Sequence, residues 1–255
     1  MDIRAKTEEC LILRGRDYNE TDRILIVFSR ERGKMSCLAK GVRRNNSRLK
    51  ASCQLFSYAK LTFSGGRGGL NIITQGETID SLPALREDLT KIACASYVGE
   101  LIDLALPEGK PQESLFILAV TTLTLLSHAE DPYLIIKYFE VRLLAELGYR
   151  LQFGQCAYCG RGLKAAKFFV APERGGLVCS ICGKAQNGLE LSGGAAKLMD
   201  ALLNWDLRRI FTLKVGAAMQ TEINAALAAY LDFFLGASAT KARENLHIYY
   251  SETNI

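Results

Sequence analysis

The sequence predicts a mixed β + α protein in two parts, a small β-barrel followed by a helical domain that carries a metal-binding insertion. Three observations support this reading. Five short strand-like segments fill residues 8–80. After Pro83 the apolar spacing changes from every second residue to every third or fourth. Two Cys-x-x-Cys pairs, Cys156/Cys159 and Cys179/Cys182, then follow with residues 160–178 between them.

The strands come first. Cys10–Leu13 opens the set, and a polar loop runs from Asp17 to Asp22. Arg23–Ser29 is β-branched and apolar. Glu31-Arg32-Gly33-Lys34 reads as a turn, and Met35–Val42 as the third strand. Phe56–Phe63 alternates as a half-buried strand does. The glycine cluster at 65–69 lacks a following Gly-Lys-Ser/Thr and opens no helix, so it reads as a hairpin turn and not a phosphate loop. Leu70–Ile79 is the fifth strand. Five strands ending near Pro83 form the pattern of an OB-fold, expected over residues 1–80.

The helical domain is expected over residues 81–255. Leu85, Leu89, Ile92, Ala93, Tyr97, Leu101 and Leu104 make one apolar stripe. Glu113–Ala129 is apolar almost throughout and so reads as central. Asp131-Pro132 starts a third helix, and Gly148 stops it. Helices resume at 194–204, with Ser192 as cap, and at 216–236 and 240–250.

The cysteine module occupies about 153–190. Each Cys-x-x-Cys turn can offer two thiolates to one ion, and this spacing is that of a structural zinc site. Four thiolates leave no open position for water, so one Zn2+ would build structure and do no chemistry. Gly160 and Gly183, each one residue past its pair, fit tight turns. Rival readings exist. A redox dithiol would suit a βαβ setting, which is missing here. Disulfides would need an oxidising compartment. Iron in a sulfur cage is chemically equivalent at the level of sequence. The other cysteines, Cys10, Cys37, Cys53 and Cys94, sit in apolar surroundings and read as buried thiols.

The N-terminal segment carries charges where a leader would need an apolar core, and the longest apolar run, Leu115–Leu126, is too short to span a bilayer. A soluble, cytoplasmic protein is expected, with no membrane partner. The formal net charge is +5, unevenly placed. Residues 1–80 hold 15 Lys/Arg against 9 Asp/Glu, and residues 81–255 hold 17 against 18. The basic excess therefore belongs to the barrel, and nucleic acid is the leading anionic partner.

The excess concentrates in Lys40–Lys50. Lys40, Arg43, Arg44, Arg48 and Lys50 fall there without an acid among them. Guanidinium forks suit phosphate oxygens, and Asn45, Asn46 and Ser47 add neutral donors. Arg14, Arg16 and Arg23 extend the field. Tyr18, in the polar loop, is the best ring for stacking a base, while Phe28, Phe56, Tyr58 and Phe63 are expected mostly in the core. A solvated loop with no partner is the plain alternative. Catalysis has little support. His128 and His247 lie outside any metal-ligand spacing, and no nucleophile triad, nucleotide loop or paired carboxylates appear.

Longer runs carry a resemblance. Arg16-Asp17-Tyr18-Asn19-Glu20-Thr21-Asp22-Arg23, Phe28–Lys34, Ala39–Arg44, Ser47-Arg48-Leu49 and Leu55-Phe56 resemble the N-terminal domain of the bacterial RecO family of DNA-repair proteins. Tyr138–Tyr149 resembles that family's mid-chain helix, and Phe168–Val170 and Gly175–Cys179 fit its cysteine-bearing members. The resemblance implies an OB-fold, a helical domain and no enzyme active site. It implies binding of single- and double-stranded DNA and annealing of complementary strands. It further implies partnership with RecR, and often RecF, in loading RecA onto DNA covered by single-strand binding protein, with the work done at the nucleoid. It also implies a site for the acidic C-terminal tail of single-strand binding protein. Lys137 and Arg142, with Phe139 and Leu143 on the same helix, are the candidates for that site, against an ordinary polar helix face. The alternative function is a zinc-stabilised interaction scaffold that does not bind DNA.

Overall fold

A computed structural model of the chain describes residues 6–65, 70–163, 167–184, 188–205 and 213–251. Gly66–Gly69 of the expected hairpin turn lie outside the described residues, as does the side chain of His247.

Five strands close a barrel in the order β1-β2-β3-β5-β4. They are β1 (Lys6–Tyr18), β2 (Asp22–Ser29), β3 (Gly33–Ala39), β4 (Tyr58–Gly65) and β5 (Asn71–Asp80). Neighbours are antiparallel except β3 and β5, whose parallel pairing, Cys37 to Asn71 through Ala39 to Ile73, completes the closure. This is the OB-fold that the strand pattern predicts. Alternation fills the interior with Ile12, Leu25, Val27, Cys37, Ala39, Leu61, Phe63 and Ile73, all nearly inaccessible. Cys10, Cys37, Cys53 and Cys94 are buried and outside any disulfide, as expected.

Two boundaries differ from the sequence reading, and both matter for the charged surface. β1 does not stop at Leu13. A bulge between Ile12 and Arg14 shifts the register, and the strand continues to Tyr18 against β2. The bulge lets a polar stretch stay paired while its side chains turn outward. The turn shrinks to Asn19–Thr21, with Asn19 in the left-handed region at φ 53°. β3 ends at Ala39, because Gly41 takes φ 63° and turns the chain into the basic loop.

The chain forms two compact units, Met1–Pro132 with Ala242–Ile255, and Tyr133–Lys241. The sequence puts the division near residue 80, where strands give way to helices. The compact units divide later because two helices are fastened to the barrel. Helix α1 (Leu89–Ala105) starts at an Asp88 cap whose side chain accepts from the Lys91 N–H. Its Gly99 lies so close to the Leu13 backbone that a Cβ would stand 3.1 Å from the carbonyl oxygen. Lys34 Nζ on β3 reaches the Asp103 carboxylate at 2.9 Å. Helix α2 (Glu113–His128) sets Phe116 edge-on to Phe28, centroids 5.5 Å apart, and to Tyr58.

In the second unit, α3 (Tyr133–Glu146) ends as predicted at Gly148, φ 89°. A three-stranded sheet follows in the order β7-β6-β8, from β6 (Lys167–Ala171), β7 (Gly176–Val178) and β8 (Glu190–Ser192). The short helix α4 (Ser180–Lys184) lies between β7 and β8 in the chain. Helices α5 (Gly193–Asn204), α6 (Ala217–Leu235) and α7 (Ala237–Ser251) follow. Ser192 caps α5, its hydroxyl accepting from the Ala195 N–H at 3.2 Å. No helix among the described residues is long and apolar enough to cross a membrane.

Candidate nucleic-acid interface and metal centre

The basic loop leaves β3 at Lys40 and returns at β4, running through successive tight turns. Backbone bonds from Arg44 N–H to Gly41 O, Ser47 to Arg44, and Lys50 to Ser47 pace it. Two contacts fasten it to the β1–β2 hairpin. Asp22 Oδ1 accepts from the Gly41 N–H at 2.7 Å, and the Arg43 N–H donates to Thr21 O at 2.9 Å. That Gly41 amide bond holds the Asp22 carboxyl below its ordinary value. These contacts tie the hairpin that bears Arg14, Arg16, Tyr18 and Arg23 to the start of the loop Lys40–Lys50. Arg14, Arg16, Tyr18, Lys40, Arg43, Arg44, Arg48 and Lys50 are exposed, and Arg23 is half-buried. Phe28, Phe56 and Phe63 are in the core, while Tyr18 keeps 45% of its surface.

The positive field is not uniform. Asp17 Oδ1 takes Arg23 at 2.8 Å and its other oxygen takes Arg43 at 3.3 Å. The Arg23 guanidinium first, and Arg43 beyond it, hold the Asp17 carboxyl below its ordinary value. Arg14 reaches Asp103 at 3.4 Å. Arg16, Lys40, Arg44, Arg48 and Lys50 form no ion pair among the described residues, though Lys40 helps to lower the Asp22 carboxyl. Asp17, Asp22 and Asp103 are the site residues that sequence reasoning missed. The signal for Asp17 is its register opposite Arg23, hidden while residues 17–22 read as a loop.

In the second unit the four cysteines meet. Cys156, Cys159, Cys179 and Cys182 hold their sulfurs within 4.8 Å of one another. Cys159 Sγ and Cys179 Sγ are 3.9 Å apart, too far for a disulfide and close to the separation in a tetrahedral site. Sulfurs roughly 2.3 Å from a common metal stand about 3.8 Å from each other. Backbone amides support the charge of a thiolate. The Cys179 N–H donates to Cys156 Sγ at 3.3 Å. Burial works against ionisation of Cys156, but the amides of Cys159, Cys179 and Tyr158 bring its pKa down to about 6. The residues fit a metal ion. Phe169, Ala171 and Val178 pack beneath the cluster.

The glycines of the two turns do different work. Gly160 is left-handed at φ 71° and its N–H returns to Cys156 O. Gly183 does not supply a left-handed turn. It sits in α4, where a Cβ would stand 2.3 Å from the Phe169 ring, so it is a close-approach residue.

Residues 1–82 match the family model for the N-terminal part of recombination protein O, and residues 86–244 match that for its C-terminal part. The chain belongs to the recombination protein O (RecO) family. The DNA repair protein RecO of Pelotomaculum thermopropionicum is 37% identical over 228 residues, covering 89% of this chain and 88% of that protein. RecO of Symbiobacterium thermophilum is 36% identical over 225 residues, 87% of this chain and 88% of that one. RecO of Bacillus pumilus is 34% identical over 229 residues, covering 89% and 88%. Membership of the RecO family gives the protein a role in DNA repair and recombination.

The tail-site candidates on α3 fare differently from the basic loop of this RecO-family chain. Phe139 and Leu143 are fully buried and form no open groove. Lys137 is buried and paired with the inaccessible Glu140 at 2.7 Å. A buried ammonium that already holds a carboxylate is not available to a peptide terminus. Arg142 remains half-exposed, its guanidinium 5.2 Å from the Tyr138 ring and its Nε donating to Leu202 O.

Proposed function

We propose that the protein is a recombination mediator without catalytic activity of its own, which binds single- and double-stranded DNA through the β1–β2 hairpin and Lys40–Lys50. The observation that carries the reading is the set of five exposed cations outside any ion pair among the described residues, Arg16, Lys40, Arg44, Arg48 and Lys50, on a loop and hairpin fixed to an OB barrel. Each can displace a condensed counterion from a phosphate. Two anionic strands held on one positive surface repel each other less, which is the physical requirement for annealing. Tyr18, exposed near Arg16, can stack on a base. Phosphate contacts alone carry no base information, so this surface serves any sequence.

In this reading the protein acts in the cytoplasm at the nucleoid. It works with RecR to place RecA on DNA covered by single-strand binding protein. Cys156, Cys159, Cys179 and Cys182 hold one zinc ion that closes the module and supplies no chemistry. Arg142 is the remaining cation on α3 for a partner's acidic tail, whereas the paired state of Lys137 argues against its taking part.

Fluorescence anisotropy of a labelled oligonucleotide, titrated at several salt concentrations, tests the reading. Replacing Arg44 and Arg48 by Ala removes two phosphate contacts and should flatten the log–log salt slope by about 1.4 on single strands. An unchanged slope removes the loop from the DNA surface and favours a scaffold that does not bind DNA.

A further inference from the structure

The near-neutral charge of residues 81–255 conceals an island. Residues 150–184 hold six Lys/Arg and one acid, Glu173, while the rest of 81–255 holds 11 Lys/Arg against 17 acids. Four thiolates around a divalent ion add −2, which leaves the island near +3. The cysteine module is therefore the basic part of the second unit, whose other residues within Tyr133–Lys241 hold seven Lys/Arg against seven acids.

Two of its arginines form no ion pair among the described residues, and one of them lies over an exposed ring. Tyr158, between the first two cysteines, keeps 57% of its surface. Arg174 lies over that ring, Cζ 5.1 Å from the centroid, and has no carboxylate partner among the described residues. Arg161 is exposed and also without an ion pair among them. Lys167 is different, since Glu190 takes it at 2.5 Å. On the second turn Ile181 is exposed by 68%. Arg174 restrains the ring from one side, and a restrained aromatic needs less ordering on binding.

We infer that the Tyr158 edge of the cysteine module is a second polynucleotide-binding surface, where Arg161 and Arg174 meet phosphates and Tyr158 stacks on a base. An aromatic platform beside a guanidinium, in a positive field, is the chemistry of sequence-independent single-strand binding. An acidic protein surface would satisfy the arginines but would leave the ring without a planar partner. The inference rests on the reading of the protein as a DNA binder. It adds that each compact unit carries its own phosphate-binding surface, so that one chain can hold two strand segments.

The test uses the full-length, metal-loaded protein and a fluorescein-labelled oligothymidylate. Arg161→Ala/Arg174→Ala, Tyr158→Ala and Tyr158→Phe are made in the native chain and in the Arg44→Ala/Arg48→Ala background. Elemental analysis confirms that each variant retains its metal. The double arginine variant should lower the magnitude of the salt slope by about 1.4 in both backgrounds. Tyr158→Ala should weaken binding about tenfold at every salt concentration, and Tyr158→Phe should restore it. Slopes unchanged by Arg161→Ala/Arg174→Ala in both backgrounds overturn the inference, and the surface is then one for an acidic protein. If the loop variants alone bind normally while the module variants lose binding, the barrel assignment fails and this one stands.

Discussion

Removing a single carboxylate should make this protein bind DNA more tightly. Asp17 lies between two guanidinium groups, 2.8 Å from Arg23 and 3.3 Å from Arg43. All three side chains are at least partly exposed, so solvent weakens the pairing and the fold does not depend on it. Asp17→Asn keeps the shape, removes the charge and releases both arginines toward phosphate. Each new contact steepens the single-strand salt slope by about 0.7, so two add about 1.4. Because binding scales as salt concentration raised to that slope, two contacts at 0.1 M strengthen it by about 25-fold relative to 1 M. The assay is anisotropy of an oligonucleotide from 0.05 to about 0.5 M salt. A steeper slope with tighter binding at low salt and convergence at high salt is the expected pattern. Weaker binding, or parallel slopes, would show that Asp17 orders Arg23 and Arg43 for DNA instead of competing with it, and the account of the charge balance would be wrong.

Further outcomes follow from other contacts. Cys156→Ser/Cys159→Ser should abolish metal binding, measured as loss of one zinc per chain. It should also melt the second unit's near-ultraviolet signal, since closing a four-thiolate site contributes roughly 10–16 kcal/mol in small modules. Retention of native thermal stability by the metal-free protein would refute a structural role. Gly183→Ala forces a Cβ to 2.3 Å from Phe169 and should cost about 1–3 kcal/mol, read as a lower Tm with DNA binding through the barrel preserved. Lys137→Met removes the ammonium beside the buried Glu140 carboxylate and should cost about 3–5 kcal/mol, while Lys137→Met/Glu140→Leu should recover most of it. Chemical denaturation distinguishes the two. The Glu9 carboxyl is held below its ordinary 4.5 by the Tyr58 hydroxyl, with Arg30 assisting. A depressed carboxylate stabilises above its unfolded pKa and loses that contribution as pH falls through the folded value. Tyr58→Phe should therefore lower stability near pH 7 and flatten its decline below pH 4.5 in acid titration.

The barrel and the metal cluster were legible because each rests on local pattern. Alternation in Phe56–Phe63 and the two Cys-x-x-Cys turns need only their own residues and neighbours. The length of β1 was not legible. Arg14-Gly15-Arg16-Asp17-Tyr18 is polar, and period-2 reading sees a strand only where one face is apolar. Here a bulge and pairing with β2 hold a polar segment extended, which is decided by a partner strand. The charge census worked at the scale of the domain and failed at two finer scales. It counted Arg23 and Arg43 as free although Asp17 holds both, and it averaged the basic cysteine module into an acidic background.

The burial of Lys137 on α3 could be anticipated from the sequence. Lys137 and Arg142 are cations beside Phe139 and Leu143 on one helix, which is what recommends them for a tail site. Yet Tyr133–Glu146 is apolar on nearly every face, with Tyr133–Ile136, Tyr138, Phe139, Val141, Leu143 and Leu144 buried. A helix apolar all round is a core element, and a charge within it must find a partner. The nearest opposite charge to Lys137 on the same face is Glu140, three residues on, the spacing at which side chains meet on a helix. Those two facts, both legible in the sequence, assign the pair to the interior. Arg142 escapes the argument because Glu146, four residues on, lies at the exposed end of the helix, and the long arginine stem can cover Tyr138 while its head stays wet. The general lesson for this fold is that a cation's availability depends on the nearest carboxylate within one turn or one register step, and not on the net charge of the segment.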